Sequence, residues 1–292
     1  MLRLPLELLP CLSLGLVLGV ARPAWPAKVI PPLIHWGLPL SLAALLLRSP
    51  FSVDLLKVGL LGVLVPVLSL WIVQFPPLRQ RLQHRVLLLG ATLGNTGYWG
   101  LPVALALLPP RALSTVIAYD MAGTLVTWSL GPLVLRGTGG GTNALVRTLL
   151  TSPALQGLGL AALLVQTPWR EVVAQALWWP ARGVFWLALA LVGMRLGVSL
   201  NERSLTVCGG LTWALGFKLL VVPGIIWILA TALDLPPLDR TALVLQGATP
   251  TALSVLLLAE VEGEAVALAS SVVLLSTGVA LLTVPLWWSV LR

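Results

Sequence analysis

Residues Val86 to Leu108 read VLLLGATLGNTGYWGLPVALALL, a stretch without a single charge. A helix of about 20 apolar residues crosses a bilayer, so the length suits a membrane span. The middle does not suit a helix: Gly94, Asn95, Thr96 and Gly97 are followed by Gly100 and Pro102. Glycine weakens a helix interior, and proline removes a backbone donor and clashes with the preceding turn. In lipid no water meets the freed N–H and C=O groups, so an interrupted helix persists only inside protein or against a wet cavity. Ala242 to Glu260, ALVLQGATPTALSVLLLAE, repeats the pattern with Gln246, Gly247, Thr249, Pro250 and Thr251 at its centre. Two apolar segments broken by Gly and Pro at matching places in two chain halves point to a transporter's binding site.

Composition supports the membrane reading. Only 10% of the 292 residues are charged and the mean hydropathy is +0.98, whereas soluble domains are roughly a quarter charged. A net charge of +8 would suggest nucleic acid in a soluble chain. Here the cations sit singly or in pairs between apolar runs, as loops of an inserted protein do, and nucleic acid is excluded as a partner. Cys11 and Cys208 each lie in an apolar run and form no disulfide or metal pattern.

Ten spans follow from apolar length and breakers: Leu4–Val20, Val29–Leu47 with a kink at Leu38-Pro39, Val53–Phe75, Val86–Leu108 and Ala112–Leu135, then Leu149–Val165, Val172–Leu196, Leu205–Leu233, Ala242–Glu260 and Ala265–Val290. Leu4–Val20 is read as a retained helix rather than a cleaved signal, because Glu7 and Pro10 interrupt it. The expected fold is therefore an all-α polytopic membrane protein of ten transmembrane helices. A Gly-rich linker at 137–147 divides residues 1–136 from residues 148–292. It lacks the Lys-Ser/Thr ending of a phosphate-binding loop and reads as a hinge. Five spans per half force opposite orientations, so the halves are expected to be inverted repeats. The broken span is fourth in each half, and Gly90-Ala91-Thr92 is echoed by Gly247-Ala248-Thr249. Arg22, Lys28, Arg79, Arg81, Arg85, Arg136, Arg147, Arg195 and Arg203 outnumber the cations of the opposite loops. That asymmetry puts the linker in the cytoplasm and both termini outside, in a multi-pass protein of the cell's inner membrane.

Ionisable residues inside spans mark function more often than surface charges do. Asp120 shares a helical face with Gly123, Thr124 and Thr127, and Lys218 lies midway along the eighth span, ahead of Pro223. The two are candidates to pair with each other, or to serve substrate and proton separately. Arg182, after Trp178-Trp179-Pro180, is expected to snorkel to an interface. Glu260, Glu262 and Glu264 read as a solvated turn. His35 and His84 have no second metal ligand nearby, and Asp54, Asp120, Asp234 and Asp239 fall on separate segments. No metal, cofactor or enzymatic constellation is therefore expected. Gly15/Gly19 and Gly193/Gly197 form small-xxx-small faces suited to helix packing. Each interrupted span offers two half-helix ends near the midplane. The N-terminal ends suit an anion and the C-terminal ends a cation or a held proton. Asn95, Thr96, Gly97, Pro102, Thr249, Pro250, Thr251 and Lys218 are the candidate substrate-binding residues, with Asp120 as the proton-coupling residue.

Asn95-Thr96-Gly97-Tyr98-Trp99-Gly100-Leu101-Pro102 with Ala118-Tyr119-Asp120, and Gly247-Ala248-Thr249-Pro250-Thr251-Ala252 with the later Leu-Leu-Ser-Thr stretch, resemble the auxin efflux carrier family of permeases. The resemblance extends over nearly the whole chain. It implies two inverted five-helix repeats whose fourth and ninth helices cross at prolines mapping to Pro102 and Pro250, beside the substrate. The family includes plant PIN-formed exporters and bacterial permeases for malate or malonate. The short linker resembles the bacterial branch, and Ala252 stands where an Asn is common in relatives. The expected function is a secondary carrier moving a small organic anion by alternating access, with proton coupling as one option. A second copy of the chain, in a homodimer, is a candidate partner beside the lipid bilayer. The alternatives are a sodium-coupled symporter of the bile-acid type, which would need more acidic and amide residues at the crossing, and a non-transporting membrane sensor.

Overall fold

The computed structural model describes residues 3–48, 53–137, 153–201 and 205–291. Their regular elements are helices: α1 (Arg3–Ala21), α2 (Trp25–Arg48), α3 (Val53–Ile72), α4 (Arg85–Thr92), α5 (Leu101–Leu107), α6 (Leu113–Arg136), α7 (Pro153–Val165), α8 (Trp178–Asn201), α9 (Gly209–Ala232), α10 (Pro237–Gly247), α11 (Leu253–Glu262) and α12 (Val266–Val290). Five of them, α2, α3, α8, α9 and α12, are long and apolar enough to cross a membrane. The protein is an all-α polytopic membrane protein. All of the expected linker except Gly137 lies outside the described residues.

Three helical segments widen into a π turn, and each π turn ends two residues before a proline. Leu33–Gly37 precedes Pro39, Thr96–Gly100 precedes Pro102, and Phe217–Val221 precedes Pro223. The cause is local. A proline has no N–H for the carbonyl four residues back, and its ring presses on that carbonyl; a wider turn relieves the clash. At Pro223 the freed carbonyl belongs to Leu219, and the indole N–H of Trp287 donates to it at 2.9 Å. The expected kink at Leu38-Pro39 is thus a π turn lying just before it.

The expected span Val172–Leu196 is instead two helices, a short one at Arg170–Ala176 and then α8. Pro180 explains the restart, because proline is tolerated in a first helical turn and not farther in. Arg182 stays near the rings of Trp178, Trp179 and Trp186, at 5.8, 5.6 and 5.5 Å. This cation–π cluster attracts a guanidinium at a helix end.

Two packed groups organise the helices. α1 and α8 touch backbone to backbone: a Cβ on Gly15 or Gly19 would lie 2.0 Å from the carbonyl oxygen of Ala190 or Met194. α2 and α7 pack beside them, while α3 to α6 and α9 to α12 form the second group. Each group thus draws helices from both halves of the chain. Arg195 pairs with Glu260 at 2.5 Å across the boundary, and Arg136 pairs with Glu262 at 2.6 Å. Two of the three acids expected in a solvated turn are therefore held by arginines of other helices; Glu264 is exposed. These pairs gather the ends of α6, α8 and α11 at one end of the molecule. Thr115 donates to Asp239 at the other.

Candidate functional site

α4 stops at Thr92 and α10 at Gly247, and the chain beyond each is extended where the two meet. Gly94 and Thr251 form an antiparallel bridge. The Asn95 N–H donates to the Pro250 carbonyl at 2.8 Å, and the Ala252 N–H donates to the Leu93 carbonyl at 3.0 Å. Backbone groups that neither helix can use thereby satisfy each other in an apolar interior, as a lipid setting demands. The Thr251 hydroxyl donates to the Gly90 carbonyl at 2.7 Å, and its N–H donates to Ser276 Oγ at 3.0 Å. On the second segment the crossing centres on Thr251, next to Pro250. On the other it lies at Asn95, a π turn ahead of Pro102.

Glycine is required here for close approach. A Cβ on Gly97 would lie 3.1 Å from both carboxylate oxygens of Asp120, and one on Gly94 would lie 3.1 Å from Lys218 Nζ. Without side chains at these positions, two ionisable groups can reach the unwound backbone. Thr96 donates to Asp120 Oδ1 at 2.5 Å. Lys218, 1% exposed in the π turn of α9, donates to the Gly247 carbonyl at 2.6 Å. That carbonyl belongs to the C-terminal end of α10, where partial negative charge suits a cation. Asp120 and Lys218 hold these separate partners and form no ion pair with each other.

A cavity of about 70 Å³ lies against the crossing. That space admits roughly five waters or one small ligand. Of the residues singled out from sequence, Asn95, Thr96, Gly97, Asp120 and Lys218 line it, as do Gly123, Thr124 and Thr127 from the expected stripe on α6. Pro102, Thr249, Pro250 and Thr251 do not line it. Thr249 and Thr251 are fully buried and spend their hydroxyls on the carbonyls of Gln246 and Gly90, so these residues frame the crossing. The lining also includes Tyr98, Tyr119, Gln246 and Ser254, none of them among the candidate binding residues. A signal existed, since the chain has only two tyrosines and both are here. Asn95 Nδ2, the Tyr98 hydroxyl and Gln246 Oε1 are buried without a hydrogen-bond partner. No group of three or more His, Cys, Asp or Glu able to hold a metal occurs among the described residues.

The membrane transport protein family, the auxin efflux carrier permeases, matches this chain over residues 143–288. The chain belongs to that family. It is 26% identical over 212 residues to an uncharacterized transporter of Methanocaldococcus jannaschii, covering 70% of this chain and 68% of the relative. An uncharacterized transporter of Methanothermobacter thermautotrophicus is 28% identical over 206 residues, covering 70% and 67%. Membership makes the protein a membrane transporter and agrees with a non-enzymatic role. The match contains Lys218 and the whole second interrupted segment, so it includes one side of the crossing and the cation beside it.

Proposed function

We propose that the protein is a secondary carrier that moves a small organic anion, a carboxylate, by alternating access around the crossing. The observation that carries this reading is the pair of unpartnered donors on cavity-lining residues, Asn95 Nδ2 and the Tyr98 hydroxyl, beside the Lys218 amine. A buried polar atom left unpaired costs about 1–3 kcal/mol. A carboxylate offers acceptors to the amide and the hydroxyl, and a charge to Lys218, so its binding recovers that cost. It also enters a cavity that already holds the Asp120 carboxyl. Two like charges in one site disfavour each other, and a proton arriving with the substrate removes that penalty. Asp120 is therefore the coupling residue of this reading.

The ten-span inverted repeat gains support from register. The same spacing separates Gly90 from Gly247, Pro66 from Pro223, and the bridged Gly94 from Thr251. Shifting Leu93 and Asn95 by it gives Pro250 and Ala252, so the two crossing hydrogen bonds exchange with each other. Such exchange is the mark of a local two-fold axis. The cavity lining runs along α6 from Asp120 to Trp128 and along α11 from Ala252 to Leu257. Both runs lead toward the end that holds Arg136 and Glu262. That end carries the larger set of loop cations, which favours an inward-facing state with the linker in the cytoplasm and the termini outside, in the cell's inner membrane. In this reading α1, α2, α7 and α8 are the scaffold against which the other helices move.

Reconstitution tests the proposal. Proteoliposomes should take up one or more small carboxylates above empty vesicles, faster under an inward proton gradient. Asp120→Asn should keep uptake or exchange while losing acceleration by the gradient. No flux across a wide panel of mono- and dicarboxylates rejects the carrier reading, and full proton acceleration in Asp120→Asn rejects the coupling role.

A further inference from the structure

A second cleft, of about 640 Å³, lies between α3, α4 and α6. Most of its lining follows that of the inner cavity along the same three helices. On α3, Pro66 lines the cavity, and Leu70, four residues on, lines the cleft, as does Gln74 in the turn that follows. On α4, Thr92 lines the cavity, and Leu88 and Arg85, four and seven residues back, line the cleft. On α6, Thr127 lines the cavity, and Leu130 and Val134, three and seven residues on, line the cleft. Steps of three, four and seven residues return to one face of a helix. Three helices therefore agree that cavity and cleft are successive parts of one groove. At 1.5 Å per residue the step from Pro66 to Leu70 is about 6 Å along α3.

Arg79 and Arg85 line the cleft. Arg85 Nη1 donates to the Leu135 carbonyl at 2.8 Å, and Arg79 Nη1 to the carbonyls of Leu82 and Gln83 at 2.9 and 3.2 Å. Carbonyls hold these guanidinium groups in place without neutralising them. Neither arginine has a carboxylate within 4.0 Å among the described residues. A guanidinium fork matches a carboxylate in geometry as well as charge.

We infer that Arg79 and Arg85 form an outer station for the organic anion, occupied before the crossing is reached from this side and after it is left. The inference rests on the carrier reading and assigns its substrate a second binding position. The station stands on exposed Arg85 and half-buried Arg79, so its binding is set by these two side chains rather than by Lys218 and Asp120.

The test uses the full chain in vesicles, with Cys11 and Cys208 replaced by serine and a single cysteine introduced by Leu130→Cys. Its labelling by an anionic and a cationic methanethiosulfonate reagent is compared. The anionic reagent should be favoured, and the double variant Arg79→Gln/Arg85→Gln should lower the ratio of rates about tenfold, as expected for two screened charges nearby. Arg79→Lys/Arg85→Lys should keep the ratio. Succinate should slow labelling equally in the parent and in Lys218→Met, and not in the Arg-to-Gln variant. An unchanged ratio in the Arg-to-Gln variant, or protection that vanishes in Lys218→Met, overturns the station. So does an anionic preference present only in vesicles without phosphatidylglycerol, since lipid headgroups then occupy the arginines. Protection without succinate flux upholds the station while removing succinate as cargo, which keeps the two readings separable.

Discussion

Lys218 is an amine placed where charge is costly, and its one described hydrogen bond is to a helix-end carbonyl. Hydrogen bonds to charged groups are worth about 1.5–3 kcal/mol. Lys218→Met should therefore weaken carboxylate binding roughly 10- to 100-fold. The unfolding midpoint should stay within about 4 °C, because relief from burying an amine offsets the about 1–3 kcal/mol of leaving the Gly247 carbonyl unpaired. Titration of a bound carboxylate beside a thermal melt of the same sample reads both quantities. Unchanged affinity in the variant removes Lys218 from the site. Lys218, Asp120 and Asn95 were legible in the sequence because polar groups are rare in apolar spans. Thr249 and Thr251 were equally conspicuous, yet their hydroxyls turn to the carbonyls of Gln246 and Gly90. Which way a side chain faces at a break depends on dihedral angles that residue type does not set. Tyr98 and Gln246, in the same broken segments, reach the cavity for the same reason.

At the scale of elements, the prolines explain more than the breaks. Pro39, Pro102 and Pro223 each follow a π turn, and two of those turns carry Thr96 and Lys218 to the cavity. One added residue in a turn rotates everything beyond it by about 100° relative to a regular helix. Counting residues along an ideal helix therefore misplaces these faces. The indole of Trp287 substitutes for the amide that Pro223 lacks, and this gives a double-mutant cycle. Trp287→Phe should cost about 1–2 kcal/mol by leaving the Leu219 carbonyl unpaired. In a Pro223→Ala background the new amide can serve that carbonyl, so the same change should cost less. Trp36→Phe, at a residue 72% exposed, should cost under about 0.5 kcal/mol. Thermal unfolding in detergent measures all three. Additive costs for Trp287 and Pro223 would mean that they do not share the carbonyl.

For the whole molecule, the sequence outlined where the chain is helical and where it is broken, since apolar length and glycine or proline content are local properties. The echo of Gly90-Ala91-Thr92 in Gly247-Ala248-Thr249 also carried the register of the crossing, which the Gly94–Thr251 bridge reproduces. What local pattern lacks is partnership at long range: Arg195 with Glu260, Arg136 with Glu262, and the split into two packed groups that each mix both halves. The bridge has a consequence for biogenesis. The ribosome delivers Leu93 to Asn95 to the membrane long before it makes Pro250 to Ala252. Until then the Asn95 amide and the Leu93 carbonyl have no mate, and the early part of the nascent polypeptide must be sheltered by the insertion machinery. A fragment ending at residue 152 should thus be degraded quickly in a pulse-chase, and co-expression of residues 153–292 as a separate polypeptide should rescue it. Equal lifetimes with and without the second fragment would show that the early half matures alone.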